Sequence, residues 1–80
     1  MALKKGFDII SPDGIGMFRD KIFSTPQNAE NGFNEWKIRF ERQGYYRDNR
    51  RNEIPLNELR DHCNLVDFEF DADEFDGEFI

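Results

Sequence analysis

Residues 65–73 alternate without interruption: Val66, Phe68, Phe70 and Ala72 are apolar, and Asp67, Glu69, Asp71 and Asp73 between them are acidic. Successive side chains of a β-strand point to opposite faces, whereas a helix repeats every 3.6 residues, so a strict period of two admits a strand and little else. An apolar face calls for burial and an acidic one for water, so the segment predicts a strand on the core with its carboxylates outward. The cover for that strand must come from a chain of 80 residues. A chain of this length buries only about 60% of its unfolded surface. Nine Phe, two Tyr and one Trp offset the small size, since each large aromatic buries about 150–250 Å². A single domain over residues 1–80 is expected, with residues 74–80 as a flexible acidic tip.

Ahead of this strand, Phe7-Asp8-Ile9-Ile10 reads as a short strand, followed by the turn sequence Ser11-Pro12-Asp13-Gly14. Pro presets φ at the second turn position, Asp suits the third and Gly the fourth, so a hairpin across residues 12–14 is expected. Residues 15–23 would form its return, with a bulge or break at Gly16 or at Arg19-Asp20-Lys21. Thr25 is placed to cap a helix that has Pro26 at its first position and runs to about Gln43, with Gly44 as its stop. Ala29, Phe33, Trp36 and Phe40 make a narrow core-facing stripe on that helix, with Gly32 beside it for close contact with the sheet. Glu35 with Arg39, and Lys37 with Glu41, are spaced as ion pairs on the wet side, and Ile38 lies opposite the stripe. Residues 45–53 read as a polar loop. Pro55 opens a second helix through about His62, with Leu56, Leu59 and Cys63 inward and Asn64 as its end. The order β-β-α-α-β predicts an α+β fold: an N-terminal hairpin, a long amphipathic helix, a short second helix and a C-terminal strand. The long helix would pack on one face of a small antiparallel sheet.

Charge is the strongest functional signal. The last fourteen residues hold seven acids and four Phe but no Lys or Arg, within a net charge of −6. Residues 37–51 hold six basic side chains and two acids. A concentrated negative strip attracts basic surfaces and repels nucleic acid. One reading is internal, with the acidic strand lying beside the basic segment and neutralising it. The other is a partner-binding set, Asp67, Glu69, Asp71, Asp73, Glu74, Asp76 and Phe79, facing a protein with a basic surface. If residues 65–73 form an edge strand, pairing with another copy or with a partner strand is the natural mode. Carboxylates on one strand face recur every 6.6–6.8 Å or so, close to the phosphate repeat of an extended nucleic acid, so charge mimicry is an alternative. The opposite alternative is nucleic-acid binding by Lys37 with Arg39, Arg42, Arg47, Arg50 and Arg51, with Tyr45 and Tyr46 stacking on bases. The net negative charge opposes it.

Other chemistry finds no support in the sequence. Asp71, Asp73, Asp76 and Gly77 echo a calcium loop, but the third acid and the Gly each come one residue late, so no metal ligands are assigned. His62 and Cys63 are neighbours on a helix, where their side chains diverge, and no nucleophile–base set, phosphate loop or cofactor motif occurs. No catalytic or cofactor-binding residues are assigned, and the protein is expected not to be an enzyme. No apolar run approaches the roughly 18 residues that would span a bilayer, and residues 1–7 lack an apolar signal core, so no membrane role is expected. The lone Cys63 cannot form an internal disulfide, which fits the reducing cytoplasm.

Three resemblances add to this. Asp76, Glu78, Phe79 and Ile80 resemble the acidic tips of bacterial single-stranded-DNA-binding proteins, although that family closes on Pro-Phe. The resemblance implies carboxylates steering the tip to a basic surface and Phe79 filling a pocket. The acidic character and small size are similar to those of phage proteins that block restriction or CRISPR enzymes. The run -GFDIISPDG-, the aromatic helix and -IPLNEL- are similar to small uncharacterised bacterial and phage α+β proteins, a resemblance that implies no activity. Together these lead to the expectation of a non-enzymatic protein-binding or regulatory module.

Overall fold

The computed structural model describes residues 2–16 and 20–80. Strand β1 (Leu3–Ile10) leads to β2 (Lys21–Ile22) and helix α1 (Pro26–Lys37), which tightens into a 3₁₀ turn at Ile38–Phe40. Strands β3 (Tyr45–Arg47) and β4 (Glu53–Pro55) follow. Helix α2 (Leu56–Leu59), a 3₁₀ turn at Arg60–His62, and strands β5 (Asn64–Asp71) and β6 (Glu78–Phe79) complete the chain. The class is α+β. Strand pairing joins the two ends: β1 and β5 are antiparallel, from Leu3 opposite Asp71 to Ile10 opposite Asn64. Two smaller sheets are β2 with β6, which run parallel, and the antiparallel hairpin β3–β4.

Helix α1 begins as its sequence dictates. Thr25 is extended, its Oγ1 accepts the Asn28 N–H at 3.0 Å, and Pro26 opens the first turn. Ala29 and Phe33 are fully buried and Trp36 and Phe40 partly so, as the stripe requires. Gly32 is pressed against Phe23, and a Cβ there would lie 2.9 Å from Cε1 of that ring. The regular helix stops at Lys37 rather than near Gln43. Trp36, Phe40 and Tyr46 close on one another with ring centroids 4.9–5.5 Å apart. Six further helical residues would carry the chain about 9 Å beyond that cluster. Gly44 does end the segment, at φ 84°, donating its N–H to Phe40 O at 2.9 Å. Neither of the expected wet-side ion pairs forms among the described residues.

Other local expectations change more. The Ser11–Gly14 turn closes with Gly14 N donating to Ser11 O at 2.9 Å, but its return is not a continuous strand. Ile10 bridges Gly16 and Phe7 bridges Phe23, so the return is four residues longer than the strand it faces. Met17, Phe18 and Arg19 lie within that insertion, outside the described residues, as does the first position of the expected Arg19-Asp20-Lys21 break. Residues 45–53, read as a loop, instead form most of the β3–β4 hairpin. The Asp48 carboxylate accepts the Arg50 and Asn52 N–H groups at 2.9 and 2.8 Å, and Arg51 takes φ 68° to complete the turn. The second helix is a single turn plus the 3₁₀ turn, with Leu59 and Cys63 buried as expected, and Asn64 already belongs to β5.

The core is Ile9, Phe23, Ala29, Phe33, Ile54, Leu59 and Cys63, with Phe7, Trp36, Tyr46 and Leu56 around it. None of the β5 Phe residues belongs to it, and the pairing register explains why. Residues directly opposite in an antiparallel pair share a face. Ile9 and Phe7 face the core, so their partners Leu65 and Asp67 lie on the helix side of the ribbon. Phe68 and Phe70 stand opposite Gly6 and Lys4 on the other side. There Ile22 lies over Gly6, and Phe70 stacks with Phe68, Phe75 and Phe79 at 5.3–6.2 Å. This second aromatic cluster is half-buried. The tip is pinned beside it rather than free: Glu78 N donates to Asp20 O at 2.8 Å, Ile80 N to Ile22 O at 2.9 Å, and Ser24 N to Ile80 O. Extents of 43 × 21 × 19 Å and a radius of gyration of 13.7 Å describe an elongated molecule. A compact domain of this length would have a radius near 12 Å, by the usual scaling of about 2.2·N^0.38 Å.

Candidate binding face

The elongation comes from the β1–β5 ribbon. Helix α1 covers its Ile9 end, and the far end, with Leu3, Lys5, Glu69 and Asp71, projects beyond the helix with Leu3 59% exposed. On the helix side, Asp67, Glu69 and Asp71 therefore stand in a row that begins where the core stops. Lys5 of β1 is their neighbour: its Nζ meets Asp67 Oδ2 at 3.0 Å, and it stands directly opposite Glu69. The hydrogen bond from Lys5, followed by its charge, holds the Asp67 carboxyl below its usual value. Both side chains are exposed, so solvent screens the pair and it adds little to stability. Glu69 has no ion-pair partner among the described residues. Asp71 ends the ribbon, its Oδ1 accepting the Ala2 and Asp73 N–H groups at 3.2 and 3.0 Å.

The remaining candidate residues are spread out. Asp73 and Glu74 lie in the turn after β5, and Asp76 is exposed on the way to β6. Phe79 is engaged by its own chain, its ring 5.3 Å from Phe70 and under the Lys4 ammonium at 5.3 Å. The acidic strand lies beside Lys4 and Lys5, not beside the basic segment of residues 37–51, so the neutralising neighbour is the N-terminal strand. Residue types alone gave no sign of Lys5 and Leu65 as members of this face, because the pairing that brings them there joins residues more than fifty positions apart.

The basic alternative is not one surface. Tyr46 turns inward: its ring joins Trp36 and Phe40, and its hydroxyl donates to Asp13 Oδ2 at 2.7 Å. Burial, then the hydrogen bond and charge of Asp13, push its pKa up to about 12. Arg47 pairs with Glu53 at 3.1 Å and lies over Tyr45. Arg39 and Arg42 are exposed just after α1, and Arg50 and Arg51 are exposed on the β3–β4 turn. Cys63 is buried, donates to Leu59 O at 3.3 Å, and has its pKa raised by desolvation, the reverse of an activated thiol. A groove of about 230 Å³ between α1 and the tip is lined by Phe23, Gly32, Asn28, Asn31, Glu35, Lys21 and Ile80. The described residues contain no cluster suited to a metal ion, and no helix long and apolar enough to cross a membrane. No protein-family model, no curated protein and no solved structure matches the chain.

Proposed function

We propose that this chain is a non-enzymatic protein-binding or regulatory module that meets a basic partner surface through the acidic face of β5. One observation carries the reading: Asp67, Glu69 and Asp71 stand in a row on the part of the ribbon that projects beyond the helix. Rim carboxylates so arranged steer a basic partner and give an association that weakens as salt rises. The buried thiol and the charge balance support a place in the reducing cytoplasm and, with the sequence resemblances, a bacterial or phage source. Mimicry of nucleic acid has less support, because Lys5 neutralises the first carboxylate of a row of three. Nucleic-acid binding has less again, because Tyr46 is committed to the core and Arg47 to Glu53.

The test compares two triple charge reversals of equal net charge. One is Asp67→Lys, Glu69→Lys and Asp71→Lys on the proposed face. The other is Glu35→Lys, Glu41→Lys and Glu58→Lys on exposed helix and turn positions. Binding of a short oligolysine at low salt is expected to fall by about tenfold or more, some 1.4 kcal/mol, for the first set and clearly less for the second. Equal losses would reduce the effect to net charge and remove the face from consideration.

A further inference from the structure

The two edges of the β1–β5 ribbon are not alike. Near its middle, β1 is bonded on its outer side: Phe7 N donates to Phe23 O at 2.8 Å and Phe23 N to Phe7 O at 3.2 Å. Strand β5 pairs with β1 alone. In an antiparallel pair, hydrogen-bonded and non-hydrogen-bonded positions alternate. Since the Phe7 backbone groups point away from β5, Phe7 and its partner Asp67 form a non-hydrogen-bonded pair. By the same parity the N–H and C=O groups of Leu65, Asp67 and Glu69 point to the open edge, as does the Asp71 N–H, whereas the Asp71 C=O already accepts the Glu74 N–H at 3.1 Å. The backbone groups awaiting a strand thus belong to the same residues whose side chains form the acidic row.

We infer that the β5 edge takes up an extended partner segment in which Lys or Arg alternates with apolar residues, adding a third strand to the ribbon. This deepens the proposed function and rests on it. The open edge sets the mode, and the side chains set the occupant. Partner residues opposite Leu65, Asp67, Glu69 and Asp71 fall on the helix side, where cations meet carboxylates directly across the strands. The intervening partner residues fall on the other side, next to Val66, Phe68 and Phe70, which are only half-buried. A second copy of β5 is the wrong occupant. Its own outward backbone groups also belong to the acids, so self-pairing would set carboxylate against carboxylate, which blunts the edge against its own kind.

The experiment uses the full, isotope-labelled chain with two peptide probes of identical composition. In one, Lys and Val alternate; in the other, the same residues stand in two blocks. Amide hydrogen exchange and affinity are read for both. The alternating peptide is expected to bind about tenfold more tightly, and to slow exchange at Leu65, Asp67, Glu69 and Asp71 while leaving the residues already bonded to β1 unchanged. Equal binding of the two peptides with no protection on β5 would overturn strand addition but leave a charge-driven face standing. Failure of both peptides to bind at low salt would overturn the inference and the proposed function together.

Discussion

Tyr46 illustrates how a single side chain can be misread from its neighbours. Flanked by Tyr45 and Arg47 in a basic stretch, it reads as a surface aromatic free to stack. It is instead the keystone of the helix end, packed on Trp36 and Phe40 and bonded to Asp13, 33 positions earlier. No local pattern encodes that partner, although the turn that holds Asp13 was legible from Pro12 and Gly14. The bond has a pH signature. The folded state raises the phenol from its ordinary value near 10 to about 12, because burial desolvates the phenolate and ionising it would also set a second anion beside the Asp13 carboxylate. A raised folded pKa gives support that is complete below about pH 10 and fades as the pH climbs toward 12. Denaturant unfolding of the wild type should therefore show stability falling over that interval, and Tyr46→Phe should flatten the fall while lowering stability at neutral pH. The same slope in both proteins would separate the hydroxyl from the effect.

Among the elements, those with strong local chemistry were legible and those made by distant pairing were not. Thr25-Pro26 fixed the start of α1, Gly44 fixed the end of its extension, and the alternation after Asn64 fixed β5. The side of the ribbon on which the β5 Phe residues lie was not legible, because it depends on the register with β1 and on a helix that covers only one end. The β3–β4 hairpin was missed because its strands are three residues long and its turn uses Arg, not Gly, at a positive φ. That turn can be tested. A side chain at φ 68° pays roughly 1–2 kcal/mol that glycine avoids, partly offset by glycine's greater freedom in the unfolded chain. Arg51→Gly should accordingly melt several degrees above Arg51→Ala, since about 1 kcal/mol corresponds to roughly 4–8 °C in a domain of this size. Both variants remove the same charge, so equal melting temperatures would mean that the segment is the loop its composition suggested.

For the whole molecule, a projecting ribbon with an open β5 edge raises the question of whether it pairs with itself. Two-stranded ribbons are marginal alone and gain from a third strand, so β5 would pair with its own kind unless something opposes it. The register supplies an opposing force, because antiparallel β5–β5 pairing over the full strand brings Asp67, Glu69 and Asp71 against one another. Neutralising them as Asp67→Asn, Glu69→Gln and Asp71→Asn keeps size and hydrogen-bonding capacity, including the acceptor that Asp71 offers to Ala2 and Asp73. Sedimentation at neutral pH should then find the variant dimeric at concentrations where the parent chain is monomeric. Salt separates this from partner binding by sign. Capture of a basic segment weakens as ions screen attraction, whereas self-association of the parent chain should strengthen as they screen repulsion, the Debye length shrinking from about 10 Å at 0.1 M to about 3 Å at 1 M. A variant that stays monomeric, together with a parent chain indifferent to salt, would show that something other than these carboxylates keeps the edge open.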